Sequence, residues 1–150
     1  MTCLSQLGWS LLVATLTLLA APLAAADQPE DVQLLKGTWK PKEANLGDNK
    51  IDAMVLDMAT LVYDGDKYTL TIGDKVEKGS YTLDSKKSPK AMDIFPTEGD
   101  NNGKTFLAVY QIEGDRLSIC YSLTPTVRPD DFEPDSNTLL LVKWERVKDP

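Results

Sequence analysis

The sequence predicts an all-β domain: an antiparallel up-and-down β-barrel of about eight strands. Three observations carry that prediction. Short runs of β-forming residues with period-two alternation recur between residues 38 and 146. Asp-Gly and Gly-Asp pairs, which supply the positive φ of tight hairpins, separate several of them. Helical periodicity is nearly missing after residue 36. Hairpins in series give antiparallel neighbours, and a sheet of such strands with one apolar face each can roll up until no edge is unpaired.

Taken in order, Pro29 to Lys36 has room for a helical turn or two before Gly37. The first predicted strand is Thr38–Lys42 and the second Met54–Tyr63, turned by Asp64-Gly65. The third, Lys67–Ile72, puts Tyr68, Leu70 and Ile72 on one face, and Gly73-Asp74 turns it. The fourth, Lys75–Leu83, carries Tyr81 and Leu83 inward, and Ala91–Phe95 is the fifth. Thr105–Ile112 is the sixth, turned by Glu113-Gly114-Asp115. The seventh, Arg116–Leu123, aligns Leu117, Ile119, Tyr121 and Leu123, and Thr138–Arg146 is the last. Two connections are long: 43–53 and the proline-rich, acidic 124–137, "TPTVRPDDFEPDSN".

Residues 1–26 stand apart from this pattern. Leu7–Leu19 is an almost unbroken apolar run, followed by Pro22 and the small residues Ala24-Ala25-Ala26. That is the layout of a signal peptide cut between Ala26 and Asp27, which leaves one domain over 27–150 and places it in the periplasm or outside the cell. A retained anchor is the alternative reading of the same run. Cys3 precedes the run rather than ending it, which argues against lipidation; cleavage would leave Cys120 alone, with no internal disulfide. With 16 Lys and Arg against 23 Asp and Glu, the net charge is −7. An acidic surface repels nucleic acid and anionic lipid. The chain has no histidine, so the commonest general base and metal ligand is missing.

Closing a barrel brings the last strand beside the first. Alternation puts Leu140, Val142, Trp144 and Arg146 on one face of the last strand. Arg146 can then lie over the indole of Trp39, a cation–π contact worth about 0.5–2 kcal/mol. Gly37, Trp39, Trp144 and Arg146 are therefore expected to close the barrel. A Gly-x-Trp on the first strand with an Arg at the end of the last resembles the calycin superfamily of lipocalins, fatty-acid-binding proteins and avidins. The stretches "LKGTW" (35–39), "KGSYTLDSKKSPKAMDI" (78–94), "GKTFLAVYQIEGDRLSICY" (103–121) and "RPDDF" (128–132) look closest to a lipocalin-like family of uncharacterised exported proteins of planctomycete type. The resemblance implies a fold rather than an activity. The chain departs from better-known lipocalins in lacking a Thr-Asp-Tyr type motif between its sixth and seventh strands, and 124–137 is too rich in proline for a helix.

Sites of chemistry are few. Cys120 sits mid-strand with nothing near it in sequence to lower its pKa, and reads as a packing residue. "EGDNNGK" (98–104) resembles the first half of a calcium loop, but Val109 stands where the closing acid belongs, so a surface hairpin is expected and no metal. In "RPDDFEPD", Arg128 can meet a ligand's anionic group at the barrel mouth or pair internally while Phe132 plugs the barrel end. Trp39 and Trp144 read as closing core rather than sugar platforms. Tyr68, Tyr81, Phe106, Tyr110 and Tyr121 are expected to line or fill the interior, with Arg128 at the mouth. The functional expectation is a non-enzymatic binding protein for one small apolar or amphipathic ligand, without cofactor, nucleic-acid partner or membrane contact beyond the signal segment. A protein-interaction module with a filled barrel, using the acidic 124–137 segment, is the rival, and an enzyme comes third. A lumen of a few hundred Å³ separates the first two.

Overall fold

The computed structural model describes residues 30–148; the expected signal peptide, Cys3 and Pro29 lie outside them. A short helix α1 (Glu30–Leu35) leads into β1 (Gly37–Leu46). A two-residue strand β2 (Asn49–Lys50) and a helix α2 (Ala53–Asp57) follow. Then come β3 (Ala59–Asp64), β4 (Lys67–Ile72), β5 (Lys75–Asp84), β6 (Lys90–Glu98), β7 (Phe106–Glu113), β8 (Arg116–Ser122) and β9 (Leu139–Arg146). From β3 to β9 each strand pairs with the next, and β9 pairs back onto β1. Every pairing is antiparallel. The result is a closed up-and-down barrel of eight strands, lipocalin-like in architecture, with β2 folded back on the end of β1.

Period-two alternation sorts the side chains. Leu61, Tyr63, Tyr81, Met92, Ile94, Leu117, Ile119, Val142 and Trp144 share the interior cluster. Two prolines mark register shifts. Pro41 has no N–H to give to β9, and the register slips between Pro41 and Glu43. Pro96 stands opposite Gly79, where the register of β5 on β6 shifts. Gly79 cannot carry a side chain, because a Cβ there would lie 2.7 Å from Cε1 of Tyr68 and 2.8 Å from Cα of Pro96.

Three expectations are corrected. Met54–Tyr63 is not one strand: residues 53–57 form α2, started by Asp52, whose carboxylate accepts from the Met54 N–H at 2.7 Å. The first strand does not stop at Lys42 but runs to Leu46, because β9 pairs with it as far as the Leu46–Leu140 register. The 124–137 segment does not fold over the barrel mouth, and Phe132 does not plug it. Phe132 packs outside the barrel, against Val109, Cys120 and Leu141 on the outer faces of β7, β8 and β9. Those three residues have the parity opposite to the interior set, so the wall is apolar on both sides there and the segment covers the outer one.

Candidate ligand cavity

One end of the barrel is sealed. Trp39 and Arg146 are register neighbours across the β1–β9 seam. The Arg146 guanidinium carbon sits 4.2 Å from the centre of the Trp39 ring system. Its nitrogens donate to the carbonyls of Lys36 (2.6 Å) and Leu34 (2.5 Å). They also meet Asp115 at 3.3 Å. Gly37 makes room: its φ is +124°, and a Cβ would stand 3.2 Å from Arg146 Nη1. The Trp39 indole N–H donates to the Leu35 carbonyl at 2.8 Å, which ties α1 across the end. A second tie is buried Asp31, which accepts from Tyr110 Oη and Lys90 Nζ, both at 2.7 Å. Burial works to raise the Asp31 carboxyl, but those two hydrogen bonds and the lysine charge outweigh it and hold its pKa below the ordinary value.

The other end opens into a cavity of about 320 Å³. Trp144 lies at its floor, two residues before the sealing Arg146, and Leu61, Tyr63, Tyr81, Ile94 and Phe106 form its middle. At the mouth stand Ile51, Ile72, Leu123 and Leu140, with Val55 and Leu56 of α2. Three residues of the mouth are exposed apolar groups: Val55, Ile72 and Leu123 are 38–44% accessible. Tyr63 and Tyr81 meet edge to face at 4.9 Å between ring centres. Among the described residues Glu77 is the one charged residue of the wall. Its two oxygens accept from Tyr68 Oη at 2.8 Å and from Asn101 Nδ2 at 2.6 Å. Burial, reinforced by the Glu77 hydrogen bond and charge, pushes the Tyr68 phenol far up. Trp144 differs from Trp39: its indole N–H is buried and has no hydrogen-bond partner. It lies close enough to the Tyr121 hydroxyl to pull that group's burial-raised pKa part of the way back, yet no hydrogen bond of good geometry joins the two.

No family model, curated protein or solved structure matches the chain. The site's chemistry has to be read from its own residues.

The barrel brings Tyr68, Tyr81, Phe106 and Tyr121 together in the cavity wall. Tyr110 fills the sealed end below, where it is 1% accessible. Arg128 is not at the mouth. It donates to the carbonyls of Ala108 (2.8 Å) and Met92 (3.1 Å) and pairs with Asp93 at 2.5 Å, pinning the 124–137 segment to β6 and β7. Trp144 both closes the barrel and floors the cavity. In the 98–104 stretch, Asp100 pairs with Lys75 at 2.7 Å and Asn101 turns toward Glu77. Among the described residues no group of three His, Cys, Asp or Glu side chains is placed to hold a metal. Residues missing from the sequence reading include Tyr63 and Ile94 of the cavity's middle, Glu77, Asn101 and the α2 pair Val55 and Leu56. Glu77 had a usable signal, because it shares parity with Tyr81 and Leu83. Asn101 had none.

Proposed function

We propose that the protein is an exported, non-enzymatic binding protein that holds one small, largely apolar molecule inside its barrel. The carrying observation is the cavity. At about 320 Å³, with an almost wholly apolar and aromatic wall, it lies at the lower end of the range for small-molecule sites. A small eight-stranded barrel has room for one such ligand. Trp39 and Arg146 seal one end of the barrel, and α2 stands at the other, which is the end from which a ligand would enter. The absence of histidine from the chain and the satisfied state of Glu77 support a binding role over a catalytic one.

The test is titration with N-phenyl-1-naphthylamine, a neutral dye that brightens in apolar surroundings. One saturable site is expected. Leu70→Trp, which fills the lumen from β4, is expected to weaken binding at least about tenfold. If neither this dye nor a smaller apolar molecule saturates a site, the reading falls. The acidic 124–137 segment as a partner surface then takes its place.

A further inference from the structure

We infer that the cavity selects a small ammonium ligand, a protonated amine on an apolar body, and that its nitrogen seats on the Glu77 carboxylate just inside the mouth. The inference rests on the binding function proposed above and specifies its ligand.

Glu77 has hydrogen bonds but no counter-charge. Among the described residues no lysine or arginine lines the cavity, and none forms an ion pair with Glu77. The lysines that flank it on β5 are engaged elsewhere, Lys75 with Asp100 at 2.7 Å and Lys78 with Glu98 at 3.4 Å. Lys104 reaches the other end of the Asn101 amide, donating to its oxygen at 2.9 Å. What Glu77 holds is neutral: the Tyr68 hydroxyl at 2.8 Å and Asn101 Nδ2 at 2.6 Å, one on each oxygen. A carboxylate has about four lone-pair sites, so two donors leave room for more. Neutral donors also leave the charge in place, and a carboxylate in an otherwise apolar wall costs free energy until a cation meets it.

Its height in the barrel suits an amphipathic molecule. Glu77 pairs in register with Leu70, one inward-facing step below Ile72 of the mouth. It is half-buried, so an ammonium there keeps part of its water while the apolar body goes down among Tyr63, Tyr81 and Phe106. The Glu77 charge also helps to raise the phenols of Tyr68 on β4 and Tyr121 on β8, so its negative potential reaches across the lumen. A carboxylate ligand would meet a like charge and no cation, and a neutral one would leave Glu77 as it stands. Size sets the body. An apolar cavity of roughly 150 Å³ holds one benzene, and this one has about 320 Å³, so the fit is an amine on the scale of two fused rings.

Three naphthalenes test this: 2-(aminomethyl)naphthalene, its hydrocarbon shape-mate 2-ethylnaphthalene, and 2-naphthoate. At neutral pH the amine is expected to bind at least about tenfold more tightly than the hydrocarbon, the worth of one charge-assisted hydrogen bond, and the naphthoate more weakly than both. The amine is expected to shift the Glu77 carboxyl-carbon resonance, and the hydrocarbon to leave it in place. Glu77→Gln, nearly the same in shape, is expected to cut the amine-to-hydrocarbon affinity ratio about tenfold. The resonance and the first ratio are read in the unaltered protein, so the test survives if that variant fails to fold. If the amine binds no more tightly than the hydrocarbon, or leaves the Glu77 resonance unmoved, the inference is overturned while binding stands. The same follows if the variant keeps the ratio or if naphthoate matches the amine. If none of the three binds, the binding function itself falls and takes this inference with it.

Discussion

Arg146 meets three kinds of group at one point: an aromatic face, two backbone carbonyls and the Asp115 carboxylate. Only a planar fork of donors can serve them together. Arg146→Lys keeps the charge and loses the fork, and is expected to cost about 1–3 kcal/mol, read from the urea midpoint. An unchanged midpoint would mean the contact adds nothing to the seam. Gly37→Ala is expected to destabilise as well, since it forces a side chain to adopt φ of +124° beside that guanidinium. Asp31 sets a pH dependence at the same end. Its folded pKa is depressed, so its contribution is present in full above the unfolded value near 4 and is lost as the pH falls through the folded pKa. Unfolding free energy measured against pH should drop on the acid side, and Asp31→Asn should flatten that drop. The Gly-x-Trp and Arg146 pairing was legible because two residues of unusual chemistry sat at the two ends of a predicted strand series. The Asp31 tie was not, because its partners Lys90 and Tyr110 come from strands far away in the chain.

At the scale of elements, the outer layer makes the sharpest prediction. Cys120 is fully buried between β8 and the 124–137 segment, under Phe132. Burial pushes its thiol up to about 11, and Asp131 and Asp135 add to the rise. The native protein should react slowly with Ellman's reagent. Phe132→Ala removes the cover and is expected to speed the reaction about 10- to 100-fold, the equivalent of about 1.5–3 kcal/mol of lost burial. A rate indifferent to Phe132 would show that the segment does not guard the thiol. On β5, Gly79→Ala would press a methyl group into the Tyr68 ring and the Pro96 backbone, and is expected to cost about 1–3 kcal/mol by thermal melting. Strands were the most readable elements, since alternation and turn pairs act locally. Residues 54–58 misled because Met, Val and Leu suit a strand as well as a helix, and the Asp52 cap that decides the matter is a single side chain. The place of 124–137 was hidden for another reason. Val109, Cys120 and Leu141 look like half of an alternating pattern, and nothing local says that the outer half is covered too.

The whole molecule encloses its phenols. All five tyrosines, Tyr63, Tyr68, Tyr81, Tyr110 and Tyr121, have raised pKa values, in each case chiefly through burial. Tyr81 is pushed up to about 12, and the other four are raised as well. Neutral phenols thus favour the fold: their contribution is present in full below pH 10 and is lost as the pH rises through the folded values. Tyrosinate absorbance should appear together with loss of β-sheet circular dichroism, as one transition. A phenol that ionises near pH 10 with the barrel intact would contradict this. That the lumen is open could not be read from the sequence, because volume depends on how far the strands roll. The seam has a further consequence, in the order of manufacture. β1 pairs with β3 through only Gly37–Trp39, but with β9 from Trp39 to Leu46. The first strand to leave the ribosome therefore waits for the last before most of its backbone finds a partner. No nascent chain short of Arg146 can shut the cylinder.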